Sequence, residues 1–183
     1  MAPITLESKD SVFIMIDIQE KVIPAVAGGE KIVTRAERLA RSAQVLEVPL
    51  IVTEQYPKGL GRTIAPLQPY VSDESVVEKS GFSCFDSERF GVTLDKTGRK
   101  TAVIFGVESH ICVFITAMEF KRRGFQTIVA EEACGSRDPA HHRLAMENLL
   151  SADIAVLPVE TIVYQLLKRA GAPAFKTLLP LFK

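Results

Sequence analysis

The sequence predicts a three-layer α/β/α fold around a mainly parallel six-stranded sheet. Three observations carry this expectation. Short runs of consecutive apolar residues recur along the chain, amphipathic helical stretches alternate with them, and no hairpin signal such as Asn-Gly joins any two runs. Strands covered on both faces read as unbroken apolar runs, and strands separated by helices make right-handed βαβ crossovers. The 183 residues are 47% hydrophobic and 24% charged, so a disordered or low-complexity chain is excluded. One domain with one core is expected, from residue 8 to residue 183.

The elements follow in order. VFIMI at 12–16 is a buried strand that stops at Asp17. After Pro24, Gly28 and Gly29, the stretch Glu30 to Leu46 places Ile32, Val33, Ala36, Leu39, Ala40, Ala43 and Leu46 at helical steps. PLIVTEQ opens at Pro49 as the second strand, and the Pro- and Gly-dense YPKGLGRTIAPLQPY is a loop. Val76 and Val77 start a brief third strand ending at Lys79. A weak helical pattern over 87–97 closes at Gly98, and TAVIFGV at 101–107 is the fourth strand. His110 to Arg123 reads as a helix stopped by Gly124, and QTIVA at 126–130 as the fifth strand. Asp138 and Pro139 form the N-cap and first residue of a helix reaching about Leu150, before the sixth strand, DIAVL. PVETIVYQLLKR and PAFKTLLPLFK are terminal helices, the second broken at Pro180.

Charge and cysteine content narrow the function. Lys plus Arg and Asp plus Glu each total 22, so there is no global field to gather phosphates, and no nucleic-acid partner is expected. Cys84, Cys112 and Cys134 are too few and too dispersed for a disulfide framework or a CxxC knuckle. The first apolar run is preceded by Glu7, Lys9 and Asp10 and is short, which speaks against a signal peptide or membrane anchor. A cytoplasmic protein is expected, with receptor-read organelle import as the alternative.

In parallel sheets, ligands sit outside the carboxyl ends of the strands. Asp17, Lys79 and Cys112 each follow a strand, so the topology brings them to one sheet edge. A thiol with a pKa of about 8.5 needs a base or a cation nearby to be a thiolate at neutral pH. Aspartate and lysine supply both, and a helix start at Cys112 would favour the thiolate and later an oxyanion. Taken singly, each residue also has a plain structural role: a carboxylate capping a turn, a solvated loop cation, a small buried apolar residue. The conjunction is what points to chemistry. Gln55, Tyr56, Phe82 and Phe85 lie in or beside loops at the same edge and are candidates for the walls of a substrate pocket, as is His110.

MIDIQEK around Asp17, VVEKSGFSCF around Lys79 and GVESHICVFITAMEF around Cys112 resemble, in this order, the isochorismatase-like cysteine hydrolases. That superfamily includes nicotinamidases and N-carbamoylsarcosine amidohydrolase. LEVPLIVTEQYPKGLGRT is similar to the branch of isochorismatase domain-containing proteins. The resemblance implies a Rossmann-like fold, a homo-oligomer, and a mechanism on Asp17, Lys79 and Cys112. Asp17 would take the Cys112 proton, Lys79 would stabilise the charges, and the sulfur would attack a carbonyl. Backbone N–H groups of Glu108 and Cys112 would hold the oxyanion, the first presented by a non-proline cis peptide between Val107 and Glu108.

Two departures from the family shape the expectation. Nicotinamidases hold a metal with an aspartate and two histidines after the second strand, whereas TEQYPKGLGRT has neither residue type. No catalytic metal and no cofactor are expected. The enzyme acting on isochorismate lacks this cysteine and cleaves a vinyl ether, so Cys112 implies a small amide or related acyl substrate and a thioester intermediate. His110, two residues from Cys112, is the base of the runner-up mechanism, while His141 and His142 read as solvent-facing. Cys134 is a structural thiol in the turn after the fifth strand, and Cys84 a conceivable resolving thiol. GLG at 59–61 is not a dinucleotide motif. The competing readings are a catalytically quiet scaffold and, more weakly, a ribonuclease-like activity. Phe175, Leu178, Leu179, Leu181 and Phe182 are expected to be covered, by the sheet or by another subunit.

Overall fold

A computed structural model describes residues 4–183. Six strands form the sheet: β1 (Ser11–Ile16), β2 (Leu50–Gln55), β3 (Val76–Lys79), β4 (Thr101–Val107), β5 (Gln126–Gly135) and β6 (Ala155–Leu157). Their order is β3-β2-β1-β4-β5-β6, and every neighbouring pair is parallel. Every residue of β1 and β4 is buried, as their unbroken apolar runs require. The chain winds outward from β1 to β3 and then, in the other direction, from β4 to β6. The reversal lies between β1 and β4, where such sheets open a crevice at their carboxyl ends.

The helices are α1 (Gly29–Val45), the single turn α2 (Pro57–Leu60), α3 (Glu88–Thr97), α4 (Phe114–Arg122), α5 (Pro139–Ser151), α6 (Val159–Leu167) and the short α7 (Phe175–Leu178). Helix α1 buries Ile32, Ala36, Leu39, Ala40 and Ala43, the predicted stripe, and packs with α6 and α7. On α3 and α4, Phe90 and Phe120 join Phe85 and Phe125 in an edge-to-face cluster, with ring centroids 4.8 to 6.0 Å apart. Asp138 caps α5 by accepting the Ala140 N–H at 2.8 Å. Of the C-terminal apolar residues only Leu178 is fully buried; Phe175, Leu179, Leu181 and Phe182 are half-buried, with Phe175 and Phe182 edge-on against Tyr164. Among the described residues no helix is long and apolar enough to cross a membrane.

Two local expectations are corrected. Strand β5 continues to Gly135, because a register shift between Ile104 and Gly106 lets it re-pair, Cys134 with Gly106. Cys134 therefore lies in the strand, not in the turn after it. The expected helix from His110 begins instead with a wide π turn, Ser109–Val113, and becomes α-helical at Phe114. Such turns recur at functional sites, and this one carries Cys112.

Candidate active site

The crevice is built on strand ends. Asp17 leaves β1 with φ at 53°, a left-handed conformation that aspartate tolerates better than most residues. Its N–H donates to the Thr53 carbonyl at 3.1 Å, and its side chain is buried. Lys79, the last residue of β3, places Nζ 2.7 Å from Asp17 Oδ2, with side chains only 0% and 4% exposed. The same ammonium donates to Gln55 Oε1 at 2.6 Å and to the Gly81 carbonyl at 3.2 Å, and lies 3.6 Å from Cys112 Sγ. Residues from β1, β3 and the turn after β4 thus meet, as the topology predicts.

Close approach of β1 and β4 depends on Gly106. Its φ is +129°, and a Cβ there would stand 2.0 Å from the Ile16 carbonyl oxygen. Only glycine fits this contact. The peptide bond that follows, Val107–Glu108, is cis. The Glu108 carbonyl accepts the N–H groups of Ile111 and Val113, which closes the turn around Cys112. Its carboxylate bonds the Arg137 N–H and guanidinium; burial opposes the charge, but these bonds hold it below the usual carboxylate range.

The electrostatics correct one expectation. Burial first, and then the negative charge of Asp17, push the Cys112 thiol up to about 12, against the pull of the Lys79 ammonium. Both effects favour the thiol form of Cys112 over the thiolate expected from sequence. Burial also works against the charge of Lys79, yet Asp17 and Cys112 outweigh it and hold its pKa above the ordinary lysine value.

The expected pocket residues divide. Gln55 is engaged at both ends of its amide, accepting from Lys79 and donating to the Ser80 carbonyl at 2.7 Å. Tyr56 is 59% exposed and its ring lies over Gly59, while Phe82 is 57% exposed and turns its carbonyl toward Lys79. Phe85 turns toward the core instead of a pocket: half-buried, its ring packs edge-on against Phe90 and Phe120, with the Arg123 guanidinium 4.2 Å above. His110 pairs Nδ1 with Ser136 Oγ at 2.9 Å and lines a cavity of about 250 Å³ with Phe114, His141, Leu144, Ala145 and Asn148. His142 is not solvent-facing: it is half-buried, its Nδ1 lies 2.8 Å from Ser109 Oγ, and burial lowers its pKa. Among the described residues no three His, Cys, Asp or Glu side chains gather into a metal-holding group.

Sequence reasoning passed over Thr53 and Gln19. Gln19 Nε2 donates to the carbonyls of Gln55 and Gly61 at 3.0 and 2.6 Å, while its Oε1 accepts the Gln55 N–H at 2.8 Å. Thr53 Oγ1 donates to Asp17 Oδ1 at 2.7 Å. For Thr53 the signal was a polar residue inside the second predicted strand; Gln19, beyond the end of the first strand, carried no such signal.

With the geometry in place, comparison with known proteins supplies the family. The profile of the Isochorismatase domain matches residues 11–161. The chain belongs to this family of isochorismatase-like hydrolases. Isochorismatase domain-containing protein 1 of Danio rerio is 32% identical over 178 residues, 97% of this chain; the chain spans only 62% of that relative's length. The solved structure of the MAR1 ribonuclease of Caenorhabditis elegans superposes with a TM-score of 0.91 at 28% identity, covering 98% of this chain and 92% of that one. The YcaC gene product of Escherichia coli, described as an octameric hydrolase of unknown specificity, shares the fold with a TM-score of 0.93 at 21% identity, covering 100% and 91%.

Proposed function

We propose that this isochorismatase-family protein hydrolyses the C–N bond of a small amide, or a related acyl bond, through a thioester on Cys112. The observation that carries the proposal is the buried Asp17–Lys79 pair at 2.7 Å, with the Cys112 sulfur 3.6 Å from the same ammonium. A buried ion pair is a poor source of stability, and its place in a crevice beside a thiol supports the reading of a functional site. A quiet scaffold would have no use for it.

Asp17 takes the proton from Sγ as the sulfur bonds to the carbonyl carbon, and the carbonyl oxygen becomes an oxyanion held by the N–H groups of Glu108 and Cys112. Lys79 pairs with the carboxylate before the transfer and balances the charge on sulfur during it. Asp17 then protonates the leaving nitrogen, the C–N bond breaks and a thioester remains. Water, losing a proton to Asp17, attacks the thioester; the acid departs and the sulfur regains the proton. Amide plus water becomes acid plus amine.

The ribonuclease name of the nematode neighbour justifies an RNA arm in any assay. Zero formal charge favours the small neutral substrate, as does the pairing of Arg62 with Glu54 and Glu78, of Arg123 with Glu119 and of Arg137 with Glu108. A homo-oligomer is proposed as well, supported by the octameric fold neighbour and by Ile115, Met118 and Leu144, which leave apolar surface exposed on α4 and α5.

Incubation with a library of small amides, followed by intact-mass and peptide mapping, is expected to reveal an acyl adduct on Cys112. Adducts confined to other residues would overturn the proposal. Alkylation of Cys112 by iodoacetamide is expected to show a limb in the carboxylate range, separate from the climb toward pH 12 that belongs to the thiol's own ionisation. A profile without the carboxylate limb, climbing only as an unassisted thiol does, would remove Asp17 from the role of base.

A further inference from the structure

The Asp17 carboxylate offers two oxygens, and each has its own partner. Oδ2 meets the Lys79 ammonium at 2.7 Å, while Oδ1 accepts the Thr53 hydroxyl at 2.7 Å. Thr53 is completely buried near the end of β2, in register with Ile16, and its carbonyl accepts the Asp17 N–H at 3.1 Å. One residue therefore grips Asp17 by main chain and by side chain, in a place where valine would fit the strand equally well. A buried hydroxyl carries a desolvation cost that only its hydrogen bond offsets.

Behind Thr53 stands a second layer. Thr116 Oγ1, on α4 one turn beyond Cys112, donates to Cys84 Sγ at 3.4 Å and accepts the Cys84 N–H at 3.1 Å. Cys84 is fully buried, and burial followed by the charge of Asp17 pushes its thiol up to about 12, so it stays protonated; the Thr53 hydroxyl is a further hydrogen-bond neighbour. A neutral thiol competes weakly for the Thr53 proton and leaves it to the Asp17 carboxylate.

We infer that Thr53, backed by Cys84 and Thr116, is the positioning residue for Asp17, turning Oδ2 toward Lys79 and Cys112. The inference rests on the proposed role of Asp17 as base. A donor aimed at a carboxylate lowers its pKa, so removing the donor raises it. Thr53→Val keeps the shape and deletes the hydroxyl, and Thr53→Ser keeps the hydroxyl.

The test is the pH dependence of Cys112 alkylation by iodoacetamide, followed by peptide mapping. The midpoint of the acid limb is expected to move up by about one pH unit in Thr53→Val and to return to the wild-type position in Thr53→Ser. Cys84→Ala is expected to move it in the same direction by less, and it supplies the measurement if Thr53→Val does not fold. Midpoints left at the wild-type value in both Thr53→Val and Cys84→Ala would overturn the inference, because a purely structural role lowers the melting temperature without moving the limb. Asp17→Asn separates the two ideas. Loss of the acid limb in that variant upholds the base, whatever Thr53 does, while retention of the limb overturns the base and the inference together.

Discussion

Cys112 and Cys134 lie at the carboxyl end of the same sheet, 7% and 4% exposed, and burial pushes both thiols up to about 12. Their surroundings differ. Around Cys112 stand a buried carboxylate and an ammonium; Cys134 sits in β5 against the Gly106 backbone, and the charge acting on it is that of the exposed Glu131. A raised pKa therefore does not separate the proposed nucleophile from a structural thiol in this molecule. What separates them is the charged pair beside the sulfur, which under the proposed mechanism takes the proton when a carbonyl arrives.

The comparison breaks most cleanly at the sulfur itself. With any amide found to acylate the protein, Cys112→Ala is expected to reduce hydrolysis to background, while Cys134→Ala keeps kcat within about twofold, because the proposed mechanism bonds only the first sulfur to substrate. Equal losses in the two variants, measured by steady-state product release, would erase the distinction.

Next in size is the ammonium. Lys79→Met preserves the length of the side chain but leaves the Asp17 carboxylate buried without its counter-charge. Loss of one partner of a buried pair costs about 3 to 5 kcal/mol, to be read as a lower urea midpoint at neutral pH. Most of that loss is expected to disappear when Asp17→Asn is added, since the uncompensated charge goes with it. Additive losses would mean that the two side chains do not act as a pair.

The smallest effect sharpens what the thiols share. A group whose folded pKa exceeds its unfolded value contributes its full stabilisation below the unfolded pKa and loses it as pH rises through the folded one. Cys84, Cys112 and Cys134 all shift from 9.0 to about 12, so the urea midpoint is expected to fall between those two pH values. Cys134→Ala should make that fall shallower. An unchanged slope would show that the Cys134 thiol ionises as readily in the folded chain as in the unfolded one.

Much of the architecture was legible because burial leaves a direct signature: VFIMI and TAVIFGV have no polar position to spare, and they form the two central strands. The meeting of Asp17, Lys79 and Cys112 followed from strand ends alone. The resting protonation of Cys112 was not legible, since it depends on how far burial and one carboxylate outweigh one ammonium, a balance of distances that no spacing encodes. The π turn at Ser109–Val113 and the prolonged β5 were missed for a related reason. Both arise from how β4 meets its neighbours, through the Gly106 contact and the shift in pairing that follows it. His142 was misassigned because helical periodicity locates a face but does not reveal that Ser109 waits opposite it.

The absence of a side chain at Gly106 sets the depth of the crevice floor. Any larger residue would wedge the first and fourth strands apart and withdraw the sulfur from the carboxylate, however well the three reactive groups themselves were preserved. Efforts to redirect this scaffold toward new substrates should leave that glycine untouched and diversify the exposed rim, at Tyr56 and Phe82, where alterations leave the spacing of the reactive atoms intact.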